Sequence, residues 1–427
     1  MNAQPHRRFC PPLPAAVAGT IMMMAGLAGV ARAQSIGDLL TIAVPGFGVA
    51  PGVTAQSRLH QDDTPLGITL GGSAADLVMY PALEASLGGD SAPGVGRGAS
   101  AVALAQPGLR IEDAALGLVG FANADLTRYA ADPLANSNDV TAGLGLALPL
   151  GADTVTLGVA RIATQETALG MAQQGGAAPF GVVVSDGRIA LRLPFGMFDA
   201  TERFEVSRAV LSQSAGGAPA AFHDQTTIRA ASELATADDG VLRGLALLKL
   251  TVARYQGAVP GDGFANANAI ALLGGIETEP SGILRLRVLA GLVHQGFAAA
   301  TPASRTTPIG SIGLGWSPDG LISTELDITR EAGLDSTLGT PGTAVTSATL
   351  ALAVAFSRDI VLTASIDGRA GTIARHQADE IDTLASATWH WSRALALTPS
   401  LSYAVRHDLP GSAPREARVS LALVWTP

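Results

Sequence analysis

The chain has 427 residues, a formal net charge of −9, 48% apolar and 15% charged side chains, 50 Gly, 25 Pro and one Cys. That apolar content excludes a disordered chain, glycines without a three-residue period exclude collagen, and the acidic balance leaves no footprint for nucleic acid. The length suits two or three soluble domains or one large β structure.

Residues 1–33 read as a cleaved signal peptide. Arg7 and Arg8 precede an apolar stretch from Ala15 to Val30, and Ala31-Arg32-Ala33 supplies the small–x–small site before Gln34. Gly19, Gly26 and Gly29 interrupt the apolar run, which is short for a spanning helix. Cleavage removes three arginines, so 27 basic residues become 24 against 36 acidic ones and the charge falls to −12. It also removes Cys10, the only cysteine, and with it any disulfide or thiolate chemistry. Residues 34–76, with Pro45, Pro51 and Pro65, alternate poorly and read as an extended periplasmic or lumen-entering segment, with room for a short helix at 36–40.

From 77 to 427 the apolar residues are dispersed in alternating segments, and no run of about 20 apolar residues occurs. Within a bilayer every backbone polar group must be paired, which only helices and closed sheets achieve. The pattern predicts strands near 77–88, 99–110, 114–128, 138–150, 154–166, 180–195, 202–213, 224–235, 243–256 and 267–278, with eight more in 282–427. The fold class is therefore all-β: a transmembrane antiparallel up-and-down β-barrel of about 18 strands, with 16 as the alternative. Ser185-Asp186-Gly187 reads as a turn or a bulge.

The C-terminal third is the clearest part. Leu284, Leu286, Val288, Ala290 and Leu292 share one face, with Arg285 and Arg287 on the other. In the same way Glu325, Asp327, Asp367, Arg369 and Arg406 alternate with apolar neighbours, so these seven charged residues are the candidate lumen lining. A soluble sandwich would alternate too, but in strands of about 5–6 residues. The connections also alternate, with short turns at 317–319, 357–358 and 392–393 and longer polar loops at 298–307, 335–344, 374–379 and 409–415. One short and one long rim is the asymmetry of outer-membrane barrels. Trp316, Phe356, Trp391 and Trp425 each close a strand running to the short rim, on its apolar face, and form the candidate interfacial girdle.

The opening Pro65-Leu66-Gly67-Ile68, Leu70-Gly71 and Tyr80-Pro81-Ala82-Leu83-Glu84 resembles that of the Putative β-barrel porin 2 family. So do Gly291-Leu292-Val293-His294-Gln295, the run from Ile312 to Pro318, and Ile328-Thr329-Arg330. The resemblance covers roughly 60–427 and implies an outer-membrane barrel without a defined substrate. Two departures are Gly88-Gly89-Asp90-Ser91, where the family has an acidic Asp-Asn element, and the end Trp425-Thr426-Pro427, where a terminal aromatic is usual.

No nucleophile elbow, zinc-protease, Walker, dinucleotide or calcium pattern occurs, so no catalytic, cofactor or metal residues are assigned. The histidines are not at metal-ligand spacing. The sequence favours a non-enzymatic porin-like channel for solutes or envelope-related polymers in the outer membrane of a Gram-negative bacterium, with both termini periplasmic. Its expected partners are outer-membrane lipid, the general barrel-assembly machinery and envelope export or uptake components. A closed structural or assembly barrel is the first alternative. A barrel-embedded hydrolase seeded by His390 with Ser386 and Ser392 is the second. Charges opposed across the lumen select solutes; the same charges paired along the wall merely brace it.

Overall fold

The computed structural model describes residues 68–70, 77–91, 99–113, 116–131, 133–151, 153–166, 180–213, 224–236, 242–256, 266–278, 283–298, 304–318, 321–332, 334, 344–373, 376–407 and 415–426. The signal segment and most of 34–76 lie outside them. The strands are β1 (Ile68–Leu70), β2 (Leu77–Asp90), β3 (Ser100–Asp113), β4 (Leu118–Tyr129), β5 (Ser137–Leu150), β6 (Asp153–Glu166) and β7 (Phe180–Phe195). They continue with β8 (Phe198–Gln213), β9 (Gln225–Thr236), β10 (Leu242–Tyr255), β11 (Ala267–Thr278), β12 (Leu284–Phe297) and β13 (Arg305–Trp316). The last six are β14 (Ile322–Ala332), β15 (Ala344–Ala355), β16 (Ile360–Ile373), β17 (His376–His390), β18 (Leu395–His407) and β19 (Arg415–Trp425).

Each strand from β2 to β19 pairs antiparallel with the next, and β19 closes on β2 from Arg418↔Asp90 to Trp425↔Leu83. The result is a closed barrel of 18 strands. Where β19 runs out, the three residues of β1 take over the same edge of β2, at Met79, Val78 and Leu77. No described helix is long and apolar enough to cross a membrane.

Alternation sorts every strand into two faces. Leu272, Leu292, Ile312, Leu352, Leu362, Leu401 and Leu421 are exposed on the outer one, where lipid replaces water as their solvent. The inner face holds the buried polar residues. Side chains there reach strands that are not neighbours, which only a concave surface allows: Arg287 of β12 bonds Glu233 of β9.

The first barrel strand begins, and the last one ends, at the same rim. Its connections, from 151–152 and 196–197 up to 237–241 and 317–321, are short. Gly151 and Gly196 make the tightest of them at φ +72° and +59°, a conformation that costs a side-chain-bearing residue about 1–2 kcal/mol. The opposite rim carries the longer connections, among them 167–179, 214–224 and 256–266.

Several expectations change. The connection read as a loop at 374–379 shrinks to 374–375, because β17 already begins at His376. Ser185-Asp186-Gly187 is neither turn nor bulge. The three pair in unbroken register with Arg161, Ala160 and Val159, and Asp186 turns inward against Arg188. Strand β8 starts at Phe198 rather than 202, so Phe195 and Phe198 flank one tight turn with ring centroids 6.0 Å apart.

Candidate functional site in the lumen wall

The lower lumen, nearer the short turns, is lined by a chain of alternating charges running from β7 to β12. Arg192 Nη2 lies 3.1 Å from Asp199 Oδ2, which Arg243 Nη2 also approaches at 2.9 Å. Arg243 Nη1 reaches Glu277 Oε1 at 3.6 Å, and Glu277 Oε2 accepts from Arg287 Nη1 at 2.8 Å. Arg287 Nη2 then bonds Glu233 Oε2 at 2.9 Å, with Arg203 Nη1 3.4 Å from the same oxygen. The local cause is simple. Inner positions of adjacent strands face each other in register, so Arg243 opposes Glu277 and Glu277 opposes Arg287. Four guanidinium groups alternate with three carboxylates, and the two ends are open to the lumen, with the Arg192 side chain 61% and the Arg203 side chain 42% exposed. Above it, Arg229 Nη1 and Arg188 Nε share Glu205 at 2.5 and 3.5 Å.

Of the seven candidate lining residues, Arg287 is the only one in this ladder. Arg285, Glu325 and Asp327 sit beside it on β12 and β14, around inner-face glycines of β13. A Cβ on Gly315 would lie 2.7 Å from Arg285 Nη2, and one on Gly313 would lie 3.1 Å from Asp327 Oδ1. The missing side chains are what let these two charged groups lie flat on the wall. Asp367 accepts from Thr349 Oγ1 at 2.8 Å, and Arg369 faces Glu380, which faces Arg406, across β16, β17 and β18. Arg406 is 1% exposed. The seven thus fall into a group by the short rim and a group packed into the upper wall, not into one constriction.

Gly315→Val should keep the barrel folded, because the atom in the way is the tip of a flexible side chain, but it should lift Arg285 into the lumen. The expected outcome is unchanged heat-modifiable migration with unitary conductance lowered by about a fifth to a half.

The upper lumen differs in kind. Leu245, Leu247, Leu273, Leu289 and Val293 form a buried apolar cluster on the inner face of β10, β11 and β12. Beyond it, two backbone carbonyls at and just past the end of β14 are held from the inner face. Gln295 Nε2 donates to the Ala332 carbonyl at 3.0 Å, Gln225 Nε2 donates to the Leu334 carbonyl at 3.2 Å, and the Tyr255 hydroxyl bonds the same carbonyl. Leu334 is buried against Ala253, Tyr255 and Ala267. Ala332 and Leu334 are therefore tied from the inner face to β12, β10 and β9, a strap made by these two residues.

The four girdle candidates Trp316, Phe356, Trp391 and Trp425 are all exposed at the short rim. Trp389 stacks on Trp391 with centroids 6.0 Å apart, and the Phe195–Phe198 pair occupies the same level across the barrel. For the hydrolase seed, Ser386 Oγ is 2.6 Å from Thr363 Oγ1, and Ser392 Oγ accepts from the Ala394 and Leu395 amides of its turn. Among the described residues no group of three or more His, Cys, Asp or Glu is placed to hold a metal ion.

A family model described as Putative beta-barrel porin 2 matches residues 64–425. The chain belongs to this family. A Putative beta-barrel porin 2 member is a porin-like outer-membrane barrel, which agrees with the closed sheet, the apolar outer face and the two unequal rims. Among solved structures, the chain is similar to OpdK of Pseudomonas aeruginosa at 10% identity and TM-score 0.44, covering 82% of this chain and 99% of that one. It is similar to OccK2 (OpdF) of Pseudomonas aeruginosa at 10% identity and TM-score 0.43, covering 82% and 98%. The FrpB iron transporter of Neisseria meningitidis is similar at 9% identity and TM-score 0.42, covering 83% of this chain and 64% of that one. No curated protein matches the chain.

Proposed function

We infer that this barrel is a channel for small water-soluble solutes, set in the outer membrane of a Gram-negative bacterium with the long rim outside and both termini in the periplasm. The observation that carries the reading is the charged ladder from Arg192 to Arg203, which ends in two guanidinium groups open to the lumen. A wall braced only for strength would leave no charge spare; here one cation exceeds the carboxylates it pairs with, which supports a weak preference for anions. Arg285, Arg287, Glu325 and Asp327 continue the same field, while Arg369 and Arg406 brace the upper wall. Insertion by the general barrel-assembly machinery fits a last strand that closes the sheet at Trp425, and envelope export or uptake components remain candidate partners. The strap at Ala332 and Leu334 favours a second reading, a barrel closed to axial flow.

Planar-bilayer recording tests the first reading. Native protein should give discrete conductance steps, and Arg192→Glu with Arg203→Glu should move the reversal potential in a KCl gradient toward cations. Silence at every voltage would reject the open channel. For orientation, protease added to intact cells should cut long-rim connections such as 214–224 and spare the short turns.

A further inference from the structure

The cations of the wall fall into two sets. Arg192, Arg203, Arg243 and Arg287, on the inner face, each lie against a carboxylate. A second set lies on the outer face, one residue on every strand that runs toward the long rim from β4 to β14: Arg128, Arg161, Arg208, Arg254, His294 and Arg330. Alternation puts them outside, since Val159, Val206, Leu250 and Leu292, each two or four residues before one of them, are exposed to lipid. Counted from the short-rim starts Leu118, Phe198 and Leu284, Arg128, Arg208 and His294 each stand ten residues up. Arg254 stands twelve above Leu242, and Arg161 and Arg330 stand eight above Asp153 and Ile322. At about 2.5 Å of axial rise per residue of a tilted strand, that is roughly 20–30 Å, the top of an apolar band about 25 Å tall. Among the described residues, none of these five arginines is within ion-pair distance of a carboxylate. Arg128 and Arg330 donate instead to neutral groups, the Ser137 carbonyl at 2.8 Å and Thr346 Oγ1 at 3.1 Å.

On β8, β9 and β10 this belt becomes a site. Arg208 and Arg254 both pair with Thr226, so the three stand side by side on one outward rung. Two strand spacings hold the arginines roughly 10 Å apart. Among the described residues the Arg208 side chain makes no hydrogen bond, and Arg254 Nη1 donates only to the adjacent Ala253 carbonyl at 3.2 Å. The next outward rungs, going down, are Val206–Ile228–Val252 and Phe204–Ala230–Leu250. Phe204 and Leu250 are exposed with only a methyl group between them, which leaves a shallow apolar trough below the two cations. The outward acid of β8, Glu202, lies at the far end of that trough, where it accepts from Ser232 Oγ at 2.6 Å. It is six residues, or about 15 Å, below Arg208, too far to neutralise it.

We propose that the outer face of β8, β9 and β10 holds a glycolipid of the long-rim leaflet bearing two phosphate monoesters, one on Arg208 and one on Arg254, with an acyl chain laid over Ala230 between Phe204 and Leu250. The planar guanidinium fork matches a phosphate with two parallel hydrogen bonds, and a phosphate monoester brings about −1.5 to −2 of charge to each. Thr226 offers its hydroxyl to the sugar between them. A phosphodiester headgroup brings a single charge, enough for one fork of the two, and a bare sugar headgroup brings none. The proposal rests on the membrane placement of the barrel and not on conduction through it.

Full-length barrel in detergent micelles, titrated with lipid A (an acylated disaccharide with a phosphate at each end) and read by native mass spectrometry, tests it. Arg208→Gln with Arg254→Gln should weaken binding about thirtyfold, and either alone about fivefold, the effect of removing headgroup-level cations. Monophosphoryl lipid A should bind the native barrel about fivefold more weakly than lipid A, and phosphatidylglycerol more weakly than lipid A by at least as much. Ala230→Leu fills the trough with every charge in place and should also weaken binding, whereas Lys249→Gln, a cation lost from the inner face, should leave it unchanged. Heat-modifiable migration checks that each variant is folded, and the single substitutions carry the comparison should the double one fail. Unaltered binding after loss of both arginines would overturn the site, and equal binding of phosphatidylglycerol and lipid A would overturn the paired-phosphate assignment. A barrel silent in planar bilayers but sensitive to these substitutions would reject only the channel; a conducting barrel indifferent to them would reject only the lipid site.

Discussion

Arg287→Ala is expected to be among the most destabilising single substitutions in the lumen wall, at about 2–3 kcal/mol in urea titration of the barrel folded into vesicles. Arg287 is an interior link of the ladder, holding Glu277 at 2.8 Å and Glu233 at 2.9 Å. Removing it leaves two half-buried carboxylates with one cation fewer, and their desolvation is no longer offset. Arg203, at the open end, also touches Glu233 but is mostly in water, so Arg203→Ala should cost less than about 1 kcal/mol. Replacing the whole unit, Arg287→Met with Glu233→Gln and Glu277→Gln, should restore most of the loss, because the cost lies in the orphaned charges rather than in the missing contact. Equal losses for Arg287→Ala and Arg203→Ala would mean that the ladder is not a connected network.

The difference between what the sequence disclosed and what it concealed follows from the range of the interactions. Alternation is local: Leu284 to Leu292 announces one outward face with no knowledge of the neighbouring strands, and β12 is where that pattern places it. Tight turns are local as well, since Gly151 and Gly196 each supply the positive φ of a two-residue connection. The ladder is not local. Arg243, Glu277 and Arg287 meet because three registers align them, and nothing within any one strand states those registers. The candidate list therefore held Arg287 but none of its partners.

The inner apolar cluster did leave a trace. Residues 245–250 read Leu-Ala-Leu-Leu-Lys-Leu, apolar on both faces, where a strand facing only water would alternate. Phe195 and Phe198 left one too, as two aromatics bracketing a two-residue turn. The strap left none that is local. It depends on Gln225, Tyr255 and Gln295 meeting the carbonyls of 332 and 334, groups separated by up to 109 residues.

Loosening that strap should have the largest effect on conduction. Tyr255→Phe removes the hydroxyl that bonds the Leu334 carbonyl, Gln225→Ala removes the amide that bonds it at 3.2 Å, and Leu334→Ala empties the site against Ala253 and Ala267. The three together should release Leu334 from the inner face and raise unitary conductance about two- to threefold, since flow is limited by the narrowest section of a pore. Tyr129 provides the control. It is an equally buried tyrosine on the inner face near the long rim, but its hydroxyl donates to Asp90 Oδ2 at 3.2 Å, a contact between β4 and β2 within the wall itself. Tyr129→Phe should weaken the wall by about 1 kcal/mol and leave conductance where it was. If both substitutions at Tyr255 and Tyr129 change the current alike, the tyrosines act through general loosening of the sheet, and the strap is not what narrows the lumen.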